Sequence, residues 1–386
     1  MIPYGKQEIT QQDIDAVIEV LKSDFLTQGP MVPAFESTLA KYCRADRAVA
    51  VNSATSALHI ACLALGVGKG DVVWTTPITF VASANCALYC GASVDFVDID
   101  PVTNNLCVNA LKAKLELAKT TGQPLPKVVI PVHLTGLPCD MKAIHDLSIE
   151  YGFSLIEDAS HAVGGRYMNS PVGACEYSDI TVFSFHPVKI ITTAEGGVAT
   201  TNDIKLAQKM ELYRSHGVTR DSDLMVGDSD GPWYYQQVEL GFNYRMTEMQ
   251  AALGLTQLKR LDQFIARRHE LAHRYLTLLE GLPVQLPNYT QDSYSGLHLF
   301  VIRLSLSNIK QSRRSVFEAL REKGIGVNVH YIPVHTQPYY QKMGFKKGDF
   351  VQAEQYYEEA ISLPMFHLMS YEQQDEVVTA LKEVLG

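Results

Sequence analysis

Between residues 48 and 156 the chain repeats one unit: a short continuous apolar run followed by a longer stretch with helical apolar spacing. The runs are Ala48-Val49-Ala50-Val51, Val72-Val73-Trp74, Val94-Asp95-Phe96-Val97, Val128-Val129-Ile130-Pro131-Val132 and Phe153 to Ile156. The intervening stretches, Ser56 to Leu65, Phe80 to Tyr89, Val108 to Leu117 and Met141 to Tyr151, read as helices. A strand that is apolar on both sides must be covered on both sides. Alternating strands and helices then predict an α/β fold with a mostly parallel sheet and helices on each face. In such sheets ligands collect at the carboxyl ends of the strands.

With 386 residues the chain has room for more than one core. The pattern changes after Gly241. Residues 246–280 read as one long or broken helix, with Met246, Met249, Leu253, Leu258 and Leu261 apolar. A smaller α+β unit follows, with strands expected at His298 to Leu304 and Val327 to Tyr331. Its helices are expected at Ser315 to Lys323, Ala353 to Ile361 and Gln373 to Leu385. The expected division is therefore 1–245 and 246–386. Residues 12–22 predict an amphipathic helix, Thr27-Gln28-Gly29-Pro30 a turn, and residues 221–235 a polar loop long enough to suggest function.

Composition narrows the class. Hydrophobic residues make up 46% and charged residues 19%, as in a folded globular protein. The net charge is -9 and no Lys/Arg stripe is present, so no nucleic-acid partner is expected. The N-terminus lacks the pattern of a signal peptide, and no apolar run approaches the roughly 20 residues of a membrane span. A cytoplasmic protein is expected. Its seven cysteines lack metal-ligand clustering, so they read as reduced thiols and no metal is expected.

Four segments fall at predicted strand ends. Asn52-Ser53-Ala54-Thr55-Ser56-Ala57 joins a strand to a helix; its backbone amides and the helix dipole suit a phosphate, although Ser53 or Thr55 also suits a plain helix cap. Ile156-Glu157-Asp158-Ala159-Ser160-His161 places a carboxylate at a strand end. There it can pair with a cationic ring nitrogen or simply cap a helix. Phe183-Ser184-Phe185-His186-Pro187-Val188-Lys189 ends a strand and delivers a lysine to the edge that holds Asp158. A partly desolvated lysine has a lowered pKa and forms Schiff bases, whereas most lysines are surface residues. The following Gly196-Gly197 pair either belongs to that motif or is only a turn. Gly241-Phe242-Asn243-Tyr244-Arg245 lies at the junction, where its polar side chains reach a ligand or a second subunit, or merely precede a helix capped by Thr247.

Taken together, a phosphate cradle, a later Asp and a Ser-x-x-x-x-Lys resemble a fold-type I pyridoxal-phosphate enzyme. The chain is similar, from about Tyr4 onward, to the DegT/DnrJ/EryC1/StrS family of nucleotide-sugar aminotransferases. The motifs that carry this are Leu26-Thr27-Gln28-Gly29, Asn52 to Leu58, Thr79 to Asn85, Ser184 to Lys189, Gly241 to Arg245 and His330-Tyr331. Their wording lies nearest the pseudaminic acid branch of that family.

The resemblance implies that Lys189 holds pyridoxal 5'-phosphate covalently and then carries the proton. It implies that Asp158 pairs with the pyridine nitrogen and His161 with the 3-hydroxyl. The Ala54 and Thr55 amides and Ser184 would hold the phosphate, and Phe80 would stack on the ring. Asn243 would reach the phosphate of a neighbouring subunit, so a homodimer with shared sites is expected. For the substrate the resemblance offers Tyr4, Asp24, Phe25, Leu26 and Thr27, then Asn328, Val329, His330 and Tyr331. Tyr4 and Tyr331 suit equally well as packed aromatics. Relatives with His at the Lys189 position are dehydratases, so Lys189 implies transamination. None of Arg313, Arg314 and Arg321 is an obvious carboxylate clamp, which leaves Arg245 as the candidate for the amino donor. The implied reaction moves an amino group from L-glutamate, leaving 2-oxoglutarate, to C4 of a UDP-linked 4-keto-6-deoxy sugar. The alternatives are 3-amino, GDP-perosamine or UDP-4-amino-4-deoxy-arabinose chemistry on the same fold, and a catalytically silent pyridoxal-phosphate binder.

Overall fold

The computed structural model describes residues 1–386. Helices α1 (Gln11–Lys22) and α2 (Met31–Cys43) precede β1 (Arg47–Val51). Then come α3 (Ala54–Ala64), β2 (Val72–Thr75), α4 (Ala82–Tyr89), β3 (Ser93–Phe96) and α5 (Val108–Thr121). β4 (Val128–Ile130), α6 (Met141–Tyr151) and β5 (Ser154–Asp158) continue the alternation. Short strands β6 (Arg166–Tyr167) and β7 (Ser170–Pro171) lead into β8 (Ile180–Ser184), β9 (Gly197–Thr201) and α7 (Ile204–Arg214). A ladder of β10 (Val218–Thr219) and β11 (Gln236–Gln237) brackets the polar loop. The C-terminal part holds α8 (Glu248–Leu258), α9 (Leu261–Leu278), β12 (Val284–Gln285), β13 (Ser293–Tyr294) and β14 (Phe300–Leu304). It ends with α10 (Arg313–Glu322), α11 (Pro338–Gln341), α12 (Val351–Glu359), β15 (Ala360–Leu363) and α13 (Tyr371–Leu385).

The central sheet has seven strands in the order β1-β9-β8-β5-β4-β2-β3. Only β9 runs against its neighbours; the other six point the same way. The sheet is therefore the mostly parallel, helix-covered one expected. Successive residues alternate between its faces. Val49 and Val51 pack with α3 and α4, while Ala48 and Ala50 pack with α2 and α8. A separate core under the antiparallel sheet β12-β14-β15 is built from Phe300, Ile302, Val316, Leu320, Val377 and Leu381.

Several boundaries differ from expectation. The long helix breaks at Lys259–Arg260 into α8 and α9. Met246, Ala251, Leu258 and Leu261 join the core of the central sheet, whereas α9 from Leu271 onward joins the second core. Ile2 also belongs to that second core, through a bridge to Ile325. Residues 327–331 form no regular strand, because only Asn328 pairs, with Ser362, and the chain then turns its aromatic side chains elsewhere. The expected helix over 353–361 stops at Glu359. Ala360 to Leu363 pair with β14 instead, where tertiary pairing overrides local preference. Helix α2, strand β9 and helix α7 had no sequence-based counterpart.

One buried carboxylate ties α2 to α8. α2 begins after Pro30, which offers no side-chain cap. Glu248 at the start of α8, fully buried, takes that role: its carboxylate accepts the Met31 N–H at 2.6 Å and the Val32 N–H at 3.3 Å. Charged acceptors on helix-end amides are worth roughly 1.5–3 kcal/mol. Glu248→Ala is expected to destabilise the protein by about 2 kcal/mol in chemical denaturation followed by circular dichroism; an unchanged midpoint would remove Glu248 from this role.

Candidate active site

The carboxyl ends of β1, β5 and β8 meet at one sheet edge. Asp158 ends β5 in register with Val182 of β8. Ser184 ends β8 opposite Gly197, and Gly197 in turn lies opposite Val51 of β1. The antiparallel β9 thus serves as a spacer that brings β1 and β8 to the same edge. α3 starts immediately beyond β1, capped by Ser53, which accepts the Ser56 N–H at 3.1 Å. The Gly196-Gly197 pair is not a turn: Gly197 starts β9. A side chain there would lie 2.5 Å from the Ala54 nitrogen.

These ends open into a cavity of about 990 Å³. Of the expected residues, Tyr4, Ala54, Thr55, Phe80, Asp158, His161, Ser184, Lys189, Asn328, Val329, His330 and Tyr331 all line it. Lys189 follows β8 by five residues and is half-buried. Burial pulls its ammonium pKa down to about 8, against the opposing pull of the Asp158 charge. Asp158 is buried and heavily bonded. Its Oδ1 accepts the Ser160 hydroxyl at 2.6 Å and the Ser160 N–H at 3.1 Å; its Oδ2 accepts the Ser83 hydroxyl at 2.5 Å.

Three buried histidines surround this pair. His161 Nε2 meets the Tyr331 hydroxyl at 3.0 Å, and its Nδ1 has no partner. Burial, with the Lys189 and His330 charges adding to it, holds His161 well below the usual histidine range. His298, 4.6 Å from His161 between ring centroids, is lowered by burial and by His161. His330 falls to about 4, chiefly through burial, and bonds Ser362 at 2.7 Å. Burial pushes the Tyr331 hydroxyl pKa up. Phe80 is 59% exposed, with its ring free on the cavity wall for stacking.

The remaining expected residues lie elsewhere. Asp24, Phe25, Leu26 and Thr27 are exposed in the connection between α1 and α2. Asn243 is exposed and bridged to Ser215. Arg245, bridged to Val51, lines a small pocket with Arg214, Gln28 and Gly29. The chain does not bring these six to its own cavity. Conversely, Thr79, Ser83, Ser160, Gln250 and His298 belong to the site or its support and were missed. Thr79 and Ser83 lie in the Thr79 to Asn85 motif, which named only Phe80 for a role, and Ser160, two residues past Asp158, carried a local signal as an Asx-type turn.

The residues present suit pyridoxal phosphate. Ala54 and Thr55, at the start of α3, line the cavity. Gly197 leaves the gap in which they sit against the sheet. A low-pKa lysine, an oriented carboxylate and an orphaned buried imidazole nitrogen meet in one space. Fold and site together define a fold-type I pyridoxal-phosphate enzyme.

Comparison with known proteins narrows the class. The model of the DegT/DnrJ/EryC1/StrS aminotransferase family matches residues 7–382. The chain is 40% identical to the Bacillus subtilis (strain 168) spore coat polysaccharide biosynthesis protein SpsC, covering all of this chain and 97% of that protein. Among solved structures, Helicobacter pylori PseC superimposes with a TM-score of 0.91 at 30% identity, over 100% of this chain and 99% of that one. Spr1654 from Streptococcus pneumoniae, described as a putative sugar aminotransferase in its PMP form, gives 0.89 at 29% identity over the same shares. The chain belongs to the DegT/DnrJ/EryC1/StrS aminotransferase family, and is a pyridoxal-phosphate-dependent sugar aminotransferase.

Two outcomes follow. Only the neutral amine of Lys189 attacks an aldehyde, so capture of the cofactor by stripped protein is expected to speed up as pH rises through about 8. Stopped-flow absorbance measures this; a midpoint near the ordinary 10.5 would show that the lysine is not desolvated. Gly197→Ala drives a methyl group into the start of α3 and is expected to weaken cofactor binding by about five-fold or more, if a cost of roughly 1–3 kcal/mol for overpacking falls on the cradle. Equilibrium dialysis of pyridoxal phosphate checks it.

Proposed function

We propose that the enzyme transfers the amino group of L-glutamate to C4 of a UDP-linked 4-keto-6-deoxy sugar, as a step towards pseudaminic acid, and that it works as a homodimer in the cytoplasm. The observation that carries the catalytic part is the half-buried Lys189, poised at about 8 beside the oriented Asp158. The sugar reading is supported by the likeness to the Helicobacter pylori protein, described as an aminotransferase of pseudoaminic acid biosynthesis. The relative described as a spore coat polysaccharide protein favours a second reading, another surface-polysaccharide sugar, on the same site.

Pyridoxal phosphate, when bound, supplies an electron sink that lets a C–H bond beside nitrogen ionise. The chain's own groups do the rest. The α3 amides of Ala54 and Thr55 and the Ser184 hydroxyl hold the phosphate, with Asn243 of a second copy completing the grip. Asp158 pairs with the pyridine nitrogen. His161 donates to or accepts from the 3-hydroxyl, and Phe80 covers the ring. Lys189 Nζ, once free, would take the proton from the donor carbon and return it to the cofactor carbon on the far side of the shared nitrogen. In the second half-reaction the same nitrogen moves the protons in reverse. A pKa near 8 suits a group that must both accept and donate at neutral pH.

Tyr4, Asn328, Val329, His330 and Tyr331 form the wall nearest the small unit and would receive the sugar nucleotide. No arginine lines the cavity, and Lys189 is its only lysine. The proposed dimer supplies the missing positive charge through Arg245 of the second copy, with Asp24 to Thr27 completing the rim of its cavity. The domain division proposed for this reading places the cofactor on 1–245 and a substrate-facing unit on 246–386.

Lys189→Ala is expected to lose both turnover and the visible absorbance of lysine-bound cofactor; normal turnover would overturn the assignment. Wild-type protein offered a panel of UDP- and GDP-linked 3-keto and 4-keto sugars with glutamate is expected to aminate the UDP-linked 4-keto-6-deoxy sugar at C4, read by mass spectrometry. Amination of another member instead would replace the proposed sugar.

A further inference from the structure

Asp158 is held by more than its own strand. A carboxylate offers about four lone-pair sites. Three are taken inside the protein: two on Oδ1 by the hydroxyl and N–H of Ser160, and one on Oδ2 by Ser83. One site on Oδ2 remains, on a side chain that lines the cavity. Its direction is set by whatever fixes the carboxylate plane, and the Oδ2 end of that plane is fixed by Ser83 alone.

Ser83 lies in the first turn of α4, with no exposed surface. Its hydroxyl has a single proton. Two acceptors compete for it: Asp158 Oδ2 at 2.5 Å and the Phe80 carbonyl at 3.3 Å. The shorter, charged acceptor takes it, within the range of an O–H···O⁻ bond. Ser83 Oγ is then left as an acceptor, and Thr79 Oγ1, 2.7 Å away and also buried, must be the donor. The proton order is therefore fixed from Thr79 to Ser83 to Asp158. The chain starts one residue before Phe80, so the segment that presents the stacking ring also aims the carboxylate.

We propose that Ser83 is a positioning residue of the reaction, with Thr79 behind it. Ser83 directs the last lone pair of Asp158 at the pyridine nitrogen and so keeps that nitrogen protonated. This rests on the reading of Asp158 as the partner of that nitrogen.

The test uses holoenzyme loaded with cofactor labelled with ¹⁵N in the ring, and reads the ¹⁵N chemical shift. Asp158→Asn is the reference and is expected to move the signal towards that of unprotonated pyridine. Ser83→Ala is expected to move it the same way by a smaller amount. It is also expected to lower kcat about ten-fold with little change in KM, since the binding wall is untouched. Thr79→Val keeps the shape but removes the outer donor, and is expected to give a weaker shift in the same direction. It also tests the relay if Ser83→Ala folds poorly. If Asp158→Asn moves the signal while Ser83→Ala and Thr79→Val leave it in place, the positioning role is overturned and the Asp158 reading stands. If Asp158→Asn leaves it in place, the Asp158 reading falls and the proposal falls with it.

Discussion

No side chain fits on the α-carbon of Gly197. A methyl there would lie 2.5 Å from backbone atoms of Ser53 and Ala54. Its φ is ordinary, so the requirement is close approach rather than an unusual backbone conformation. That approach seats the first turn of α3 directly against the strand next to β8. The amides proposed for the phosphate, the Ser184 hydroxyl and the chain leading to Lys189 then share one edge. The antiparallel β9 achieves this, because its first residue lies beside the last residues of both β1 and β8.

The second constraint is electrostatic. Taking a lysine partly out of water disfavours its charge, and a nearby carboxylate restores some of it. At Lys189 desolvation wins, leaving a base that titrates near 8. The three histidines around it answer the same field. Their rings are buried, and the Lys189 charge opposes a second positive charge on each. They sit as neutral donors and acceptors beside one titrating amine. Behind Asp158, the neighbouring Glu157 points to the opposite face of β5. It takes bonds from His133 at 2.7 Å, Ser178 at 2.5 Å and Thr181 at 3.0 Å. The strand that carries Asp158 is thus fastened on both faces.

Much of this was legible in the sequence. Apolar runs showed the parallel sheet because burial on both faces leaves no room for alternation. The motifs at Asn52, Asp158 and Lys189 showed the edge where the site forms. The edges of the scheme were harder to read. β9 carries Thr200 and Thr201, which are buried and bonded to carbonyl oxygens, so its polarity hid a core strand. Residues 327–331 had strand composition, but the side chains of Tyr331 and His330 are drawn to His161 and Ser362 instead. Ser83 lay inside a motif that carries the family resemblance and His298 at the start of an expected strand, but neither showed its role, since the partners lie 75 and 137 residues away in the chain. Spacing rules reach along a helix or strand; they do not reach across a sheet.

The residues that the chain leaves outside its own cavity bear on the proposed dimer. The proposed nucleotide sugar and dicarboxylate donor would both be anionic, while the cavity contributes Asp158 and Glu195 against one lysine whose charge is partly lost. Arg245 lies at the other end of the β1 bridge, and the adjoining Arg214 is committed to Glu36. Arg245 forms no ion pair, although the hydrogen bonds of its neighbours Asn52 and Tyr244 fix its backbone. Phe242 and Tyr244 on either side of Asn243 pack on His59 of α3, at 4.7 and 6.0 Å between centroids. The segment is therefore anchored to the proposed phosphate helix of its own subunit while Asn243 faces outward. In the proposed dimer, this anchored loop with an outward amide and an unpaired guanidinium would serve a neighbour, and the charge it would bring is the charge this cavity lacks.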